Sequence, residues 1–145
     1  MKISTKGRYG LRILLDLALY GQDTPRLMKE IAESQNISEK YISRLILPLN
    51  EAGFVTSFRG AKGGFKLAKA PKEITLLEII EAMEGRIAIV ECTLNKAFCP
   101  KSEECAACKI WSSLNKKIRK QMAEITLKDV LKSEKIKTKH TSEKQ

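Results

Sequence analysis

Six residues, Arg59-Gly-Ala-Lys-Gly-Gly64, constrain the fold of this 145-residue chain more than any others. They place three glycines and two cations between two short runs with strand character, Phe54–Phe58 and Phe65–Leu67. Glycine adopts the backbone angles that tight turns demand, so the pattern predicts a hairpin with a basic tip. Such a tip can lie against an anion, with Gly60, Gly63 and Gly64 letting the backbone approach a phosphate and Arg59 and Lys62 supplying charge. The plainer alternative is a tight turn carrying solvated cations. No Gly-x-x-x-x-Gly-Lys-Ser/Thr run is present, which excludes a nucleotide-binding P-loop.

The residues before the hairpin give it meaning. Residues 4–20 read as a helix with two apolar stripes, one of Tyr9, Ile13, Leu17 and Tyr20 and one of Leu11, Leu14, Leu15 and Ala18. A short helix at 27–34 and a turn at Gln35–Ile37 follow. Ser38 is suited to cap a further helix to Ala52, which would bury Tyr41, Ile42, Leu45, Ile46 and Leu49 and end at Gly53. Pro48 should kink or shorten it, because proline lacks the N–H that a helix interior needs. Helix, helix–turn–helix and basic hairpin, in that order, describe a winged helix–turn–helix. On the face away from the core, Ser38, Lys40, Ser43 and Arg44 are the side chains expected to meet base edges. A lone amphipathic helix would not support that reading; the helix before it and the basic wing after it do.

Charge agrees. The chain carries 27 lysines and arginines against 17 acids, net +10, which attracts polyanions. Residues 1–70 hold twelve basic and six acidic side chains, whereas 71–91 hold two and five, so the positive field is expected in the N-terminal half. With 43% hydrophobic and 30% charged residues the composition is that of a globular domain. No apolar run is long enough to span a membrane and no signal peptide is legible, so a cytoplasmic address and no membrane partner are expected.

Pro71 marks the end of the first unit, leaving residues 71–132 for a linker helix, a cysteine loop and a long helix. Thr75-Leu-Leu-Glu78 is a capping box opening a helix through Met83, and Thr126–Asp129 is a second one opening a short last helix. Between them, Glu104–Ile125 should form a long helix with Trp111, Leu114, Ile118, Met122 and Ile125 on one side and Lys116, Lys117, Arg119 and Lys120 facing out. So much apolar length exceeds what a small domain covers, so this helix is expected to pair with its copy in a homodimer. Residues 133–145 read as a disordered basic tail, and His140, the only histidine, as a solvated residue within it. Glu78, Glu81 and Glu84 read as a helix face, and no nucleophile–base set for catalysis can be assembled, so the chain is not expected to be an enzyme.

Cys92, Cys99, Cys105 and Cys108 fall in one short segment with spacing Cys-x6-Cys-x5-Cys-x2-Cys. Four thiolates suit an iron–sulfur cluster and also zinc. Only Cys105-Ala-Ala-Cys108 has the pair form of a zinc knuckle, and redox or structural thiols are a third possibility. Lys96, Lys101 and Lys109 nearby are expected to lower thiol pKa values.

The opening Met1-Lys-Ile-Ser-Thr-Lys-Gly-Arg-Tyr-Gly10, Ile37-Ser-Glu-Lys-Tyr41, Glu51-Ala-Gly53, the wing and the cysteine block resemble the IscR-like regulators of the Rrf-two superfamily across about residues 1–132. The resemblance implies a mainly α fold with a small β-hairpin wing, crossed dimerisation helices and binding to double-stranded DNA at a palindromic promoter site; repressor is the working assignment, and the sequence does not choose between repression and activation. It adds Lys6 and Arg8 to the expected DNA contacts and implies cluster ligation, two-iron or four-iron, by Cys92, Cys99 and Cys105. Cys108 stands where the best-known members have a histidine, the first cysteine gap is one residue longer, and Ser43 stands where many relatives have glutamate. The function expected is a dimeric, cluster-sensing transcriptional regulator. A zinc-stabilised or thiol-redox regulator is the alternative, and an iron–sulfur electron-transfer protein the more distant one.

Overall fold

In a computed structural model the backbone is described for residues 1–142 and side chains through Lys135. Three helices open the chain: α1 (Thr5–Tyr20), α2 (Met28–Gln35) and α3 (Glu39–Glu51). Strands β1 (Val55–Phe58) and β2 (Gly64–Leu67) follow, then α4 (Leu76–Glu84), α5 (Ala106–Glu124) and α6 (Leu127–Ser142). The architecture is mainly α, with one antiparallel pair whose register runs from Val55 opposite Leu67 to Phe58 opposite Gly64.

Local chemistry sets most boundaries. Ser4 caps α1 by accepting the Gly7 N–H, and Ser38 caps α3 by accepting that of Tyr41 at 3.2 Å. Gly53 follows α3 with φ of 77°, the left-handed turn by which helices commonly end. Pro48 does not shorten α3, which runs on to Glu51. It sits in the last turn, so its missing N–H costs a single helical bond, on the side of exposed Arg44.

One core joins the N-terminal helices to later elements. Ile13, Leu14 and Leu17 of α1 meet Ile31, then Ile42, Leu45 and Leu49 of α3, and also Ile79 and Met83 of α4 and Leu127 of α6. Pro71 therefore marks a turn in the chain, and the core is continuous across it. The two capping boxes lie side by side. Leu76 donates its N–H to the Ile125 carbonyl and Leu127 to that of Ile74, both at 2.8 Å, so α4 and α6 start as a tied pair.

Two expectations change here. α6 continues to Ser142, through most of the stretch expected to be a disordered tail. Lysine, glutamate, leucine and isoleucine favour helix, and neither glycine nor proline interrupts residues 127–142. The remainder of that tail, residues 143–145, and the side chain of His140 lie outside what is described. Arg119 does not face out: it pairs with Glu81 of α4 and reaches the Ile87 carbonyl at 3.4 Å. The three glutamates of α4 are likewise more than a solvated face. Glu78 caps Thr75, Glu81 holds Arg119, and Glu84 accepts the Ser4 N–H at 2.8 Å and its hydroxyl at 2.6 Å.

Candidate nucleic-acid interface

α3 buries Ile42, Leu45, Ile46 and Leu49 and leaves Lys40, Ser43 and Arg44 exposed on the opposite face. Ser38, at the head of the helix, is exposed too, its oxygen engaged as the cap. The Ser43 hydroxyl donates to the Lys40 carbonyl at 2.7 Å, so the lone pairs of Ser43 remain to accept. The Asn50 amide donates to the Ser57 hydroxyl at 3.1 Å, which ties the end of α3 to β1 and fixes the wing beside the helix.

At the wing tip Arg59, Gly60 and Lys62 are exposed, while Gly63 is buried. The glycines divide their labour. A Cβ on Gly60 would meet nothing within 4 Å, whereas one on Gly63 would stand 2.5 Å from the Phe58 carbonyl oxygen. Gly63 thus shapes the turn that presents Gly60 and its cationic neighbours. Lys6 and Arg8 are exposed on the first turns of α1, with Arg8 donating to the Thr5 hydroxyl at 3.0 Å.

An anchor under the wing was legible in sequence only as an interruption of an apolar run. Asp16 is fully buried and accepts from Arg26 at 2.8 Å and from the Gln35 amide at 3.1 Å. Arg26 exchanges both backbone hydrogen bonds with Phe65 of β2 at 2.9 Å, and its guanidinium lies 4.8 Å from the Tyr20 ring. Burial disfavours the Arg26 charge, but the Asp16 hydrogen bond and carboxylate outweigh it and hold the group above its ordinary range. Asp16 therefore fastens α1 to the end of α2 through Gln35 and to the wing through Arg26.

The cysteine segment joins α4 to α5 through short 3-10 turns at Glu91–Thr93 and Lys96–Phe98. All four cysteines are free; Cys108 is buried and Cys92, Cys99 and Cys105 are half-buried. The Cys108 sulfur lies 3.8 Å from the Cys92 carbonyl, beside a cavity of about 480 Å³ that Lys96, Lys109 and Lys116 also line. The lysines do not lower the Cys92 pKa as expected. Desolvation, the Cys108 hydrogen bond and the neighbouring Cys108 and Cys99 thiols push it upward. Among the described residues no three cysteine, histidine or acidic side chains stand together as a metal site.

On α5 the expected stripe is open: Trp111, Leu114 and Ile125 are exposed, Ile118 and Met122 half-buried, and only Cys108 and Asn115 of the helix are buried. Ile110, which the stripe omitted, is also exposed. The charge distribution needs correcting as well. Residues 92–145 carry thirteen basic and six acidic side chains, so the positive charge is not confined to the N-terminal half. Among the described residues no helix is long and apolar enough to cross a membrane.

Residues 3–133 match the family model described as Rrf2, an iron-dependent transcriptional regulator. The chain belongs to the Rrf2 family. Protein rrf2 of Nitratidesulfovibrio vulgaris is 38% identical over 132 residues, covering 91% of this chain and 88% of its own. The solved structure of CymR, the global cysteine regulator of Bacillus subtilis, superposes with a TM-score of 0.79 at 38% identity, covering 92% and 98% of the two chains. That of IscR from T. potens does so with a TM-score of 0.72 at 36% identity, covering 92% and 88%. This Rrf2 protein is a DNA-binding transcriptional regulator with a winged-helix fold, and not an enzyme, which sets aside the electron-transfer reading. Relatives of both the CymR and the IscR type match the chain.

Proposed function

We propose that this regulator binds a palindromic promoter site in the cytoplasm as a homodimer, and that Cys92, Cys99, Cys105 and Cys108 control its affinity by holding an iron–sulfur cluster. α3 would enter the major groove with Ser38, Lys40, Ser43 and Arg44, while Arg59, Gly60, Lys62 and Gly63 of the wing and Lys6 and Arg8 of α1 meet the backbone. One observation carries the control: Cys92, Cys99 and Cys105 lie between α4, which packs on the DNA-binding unit, and α5, whose first turn carries Cys108 and whose apolar side is uncovered. Ordering or releasing that segment shifts how α5 sits, and through the α5 pairing of Trp111, Leu114, Ile118, Met122 and Ile125 it sets the spacing of two α3 helices. The donor set fits a cluster, because four uncommitted thiols are the usual ligands and three lysines stand near to offset thiolate charge. A bound cluster would supply a group that changes charge or is lost on oxidation.

Anaerobic purification should yield coloured protein with matching iron and sulfide, and operator affinity should change when the cluster is stripped. A few kcal/mol of differential binding, roughly thirtyfold or more in affinity, is enough to switch a promoter. Unchanged affinity would refute control by the cluster. The adjacency of Cys92 and Cys108, with no three ligands gathered as a metal site among the described residues, favours a second reading in which zinc or thiol oxidation takes the cluster's place. Colourless protein with stoichiometric zinc, or metal-free protein whose DNA affinity responds to peroxide, would select it.

A further inference from the structure

The exposed face of α3 carries one side chain that neither folding nor phosphate contact explains. Leu47 is 62% exposed, on the same helix that buries Ile42, Leu45, Ile46 and Leu49 completely or nearly so. A single exposed leucine is ordinary on a protein surface, and its position is what sets this one apart. It lies one turn beyond Ser43 and Arg44 and two turns beyond Lys40, all exposed, so an apolar tip is set among cations and a hydroxyl. Of the other exposed apolar groups, Tyr20 lies against Arg26, Ile110, Trp111, Leu114 and Ile125 share the open side of α5, and Met1, Leu27, Phe58 and Phe98 are not on α3, so Leu47 is the large apolar side chain that α3 exposes. Glu39 opens α3 and Glu51, one turn beyond Leu47, ends it, while the groups on the N-terminal side of Leu47, Lys40, Ser43 and Arg44, favour a polyanion.

We propose that Leu47 is a specificity-determining residue that reads the C5-methyl group of a thymine in each half-site. The inference rests on the DNA-binding reading of α3 given above. The thymine methyl is the one apolar group that base edges present in the major groove, so an apolar side chain there is matched by it alone. Ser43 strengthens the match. Its hydroxyl proton is committed to the Lys40 carbonyl, leaving acceptor lone pairs. The N6 amino group of adenine is a donor that would meet them, and adenine is thymine's partner in the same base pair. The helix thus offers an acceptor and a methyl-sized apolar contact one turn apart, and an A·T pair supplies both complements.

The test removes only the methyl. A high-affinity duplex is selected from a random pool with the wild-type protein, and its thymines are then replaced by uracil, one symmetric pair at a time. At one such pair the wild type should lose roughly fourfold in affinity per methyl, about fifteenfold for both half-sites. Leu47→Ala, folded as the wild type by circular dichroism, should lose less than about twofold at that pair. A repeated selection with Leu47→Ser should no longer enrich thymine at that position. If no uracil pair weakens the wild type, or if Leu47→Ala loses as much, Leu47 does not read the methyl, although the regulator still binds its site. If the wild type enriches no sequence at all, the DNA-binding reading fails first.

Discussion

Two helices of this regulator are treated in opposite ways by the fold. α3, thirteen residues long, has its apolar stripe covered by its own chain and buries Ile42, Leu45, Ile46 and Leu49. α5, nineteen residues long, buries only Cys108 and Asn115 and leaves Ile110, Trp111, Leu114 and Ile125 exposed. The first is packed into the continuous core that also takes in α4 and α6. The second is an element whose burial the chain does not finish. Under the proposed function recognition and control would be divided: the covered helix would present side chains to a ligand of fixed shape, and the open one would give thiol chemistry something to move.

The largest expected effect lies in the covered part. Asp16→Ala removes the fully buried partner of Arg26 and leaves a guanidinium and the Gln35 amide short of an acceptor, at a cost of about 3 kcal/mol in urea unfolding. A cost below about 1 kcal/mol would mean that the wing is not anchored this way. Next comes the wing itself. Gly63→Ala drives a Cβ against the Phe58 carbonyl and should lower operator affinity at least about tenfold, whereas Arg59→Ala should reduce the log–log salt slope by about one per protomer.

In the open unit the same kind of change should hardly touch the folding of one chain. Leu114→Lys is expected to shift sedimentation from dimer to monomer while moving monomer stability by less than about 0.5 kcal/mol. If it unfolds the chain instead, α5 is covered by its own protomer and the contrast with α3 is broken.

The smallest effect concerns the capping boxes that start α4 and α6. Backbone and hydroxyl hydrogen bonds from Thr75 and Thr126 hold the Glu78 and Asp129 carboxyls below their usual range. Their contribution is therefore full above the unfolded values near pH 4 and disappears as pH falls through the lower folded ones. Melting temperature should drop across that acid window in the wild type and less steeply in Thr75→Val and Thr126→Val.

Short-range physics made much of this legible in advance. Ser38, Thr75 and Thr126 announced helix starts because a hydroxyl acceptor at that position satisfies a free N–H wherever the chain folds. The Gly-rich tip announced a hairpin, and period-3.6 apolar spacing chose the buried face of α3, because both depend on neighbours a few residues away. Only the tertiary structure decided what depends on distant partners. It turned Asp16 from a break in an apolar run into the anchor of the wing, gave Glu81 to Arg119, and carried Leu127 into the core of α1. A charge reads as surface until the opposite charge that repays its desolvation is in place, and that partner lies ten residues away for Asp16 and thirty-eight for Glu81. The cysteine segment divides on the same principle: its spacing set the expectation of a cluster, zinc or redox thiols, while burial of Cys108 beside Cys92 was settled by how α5 packs back on the loop.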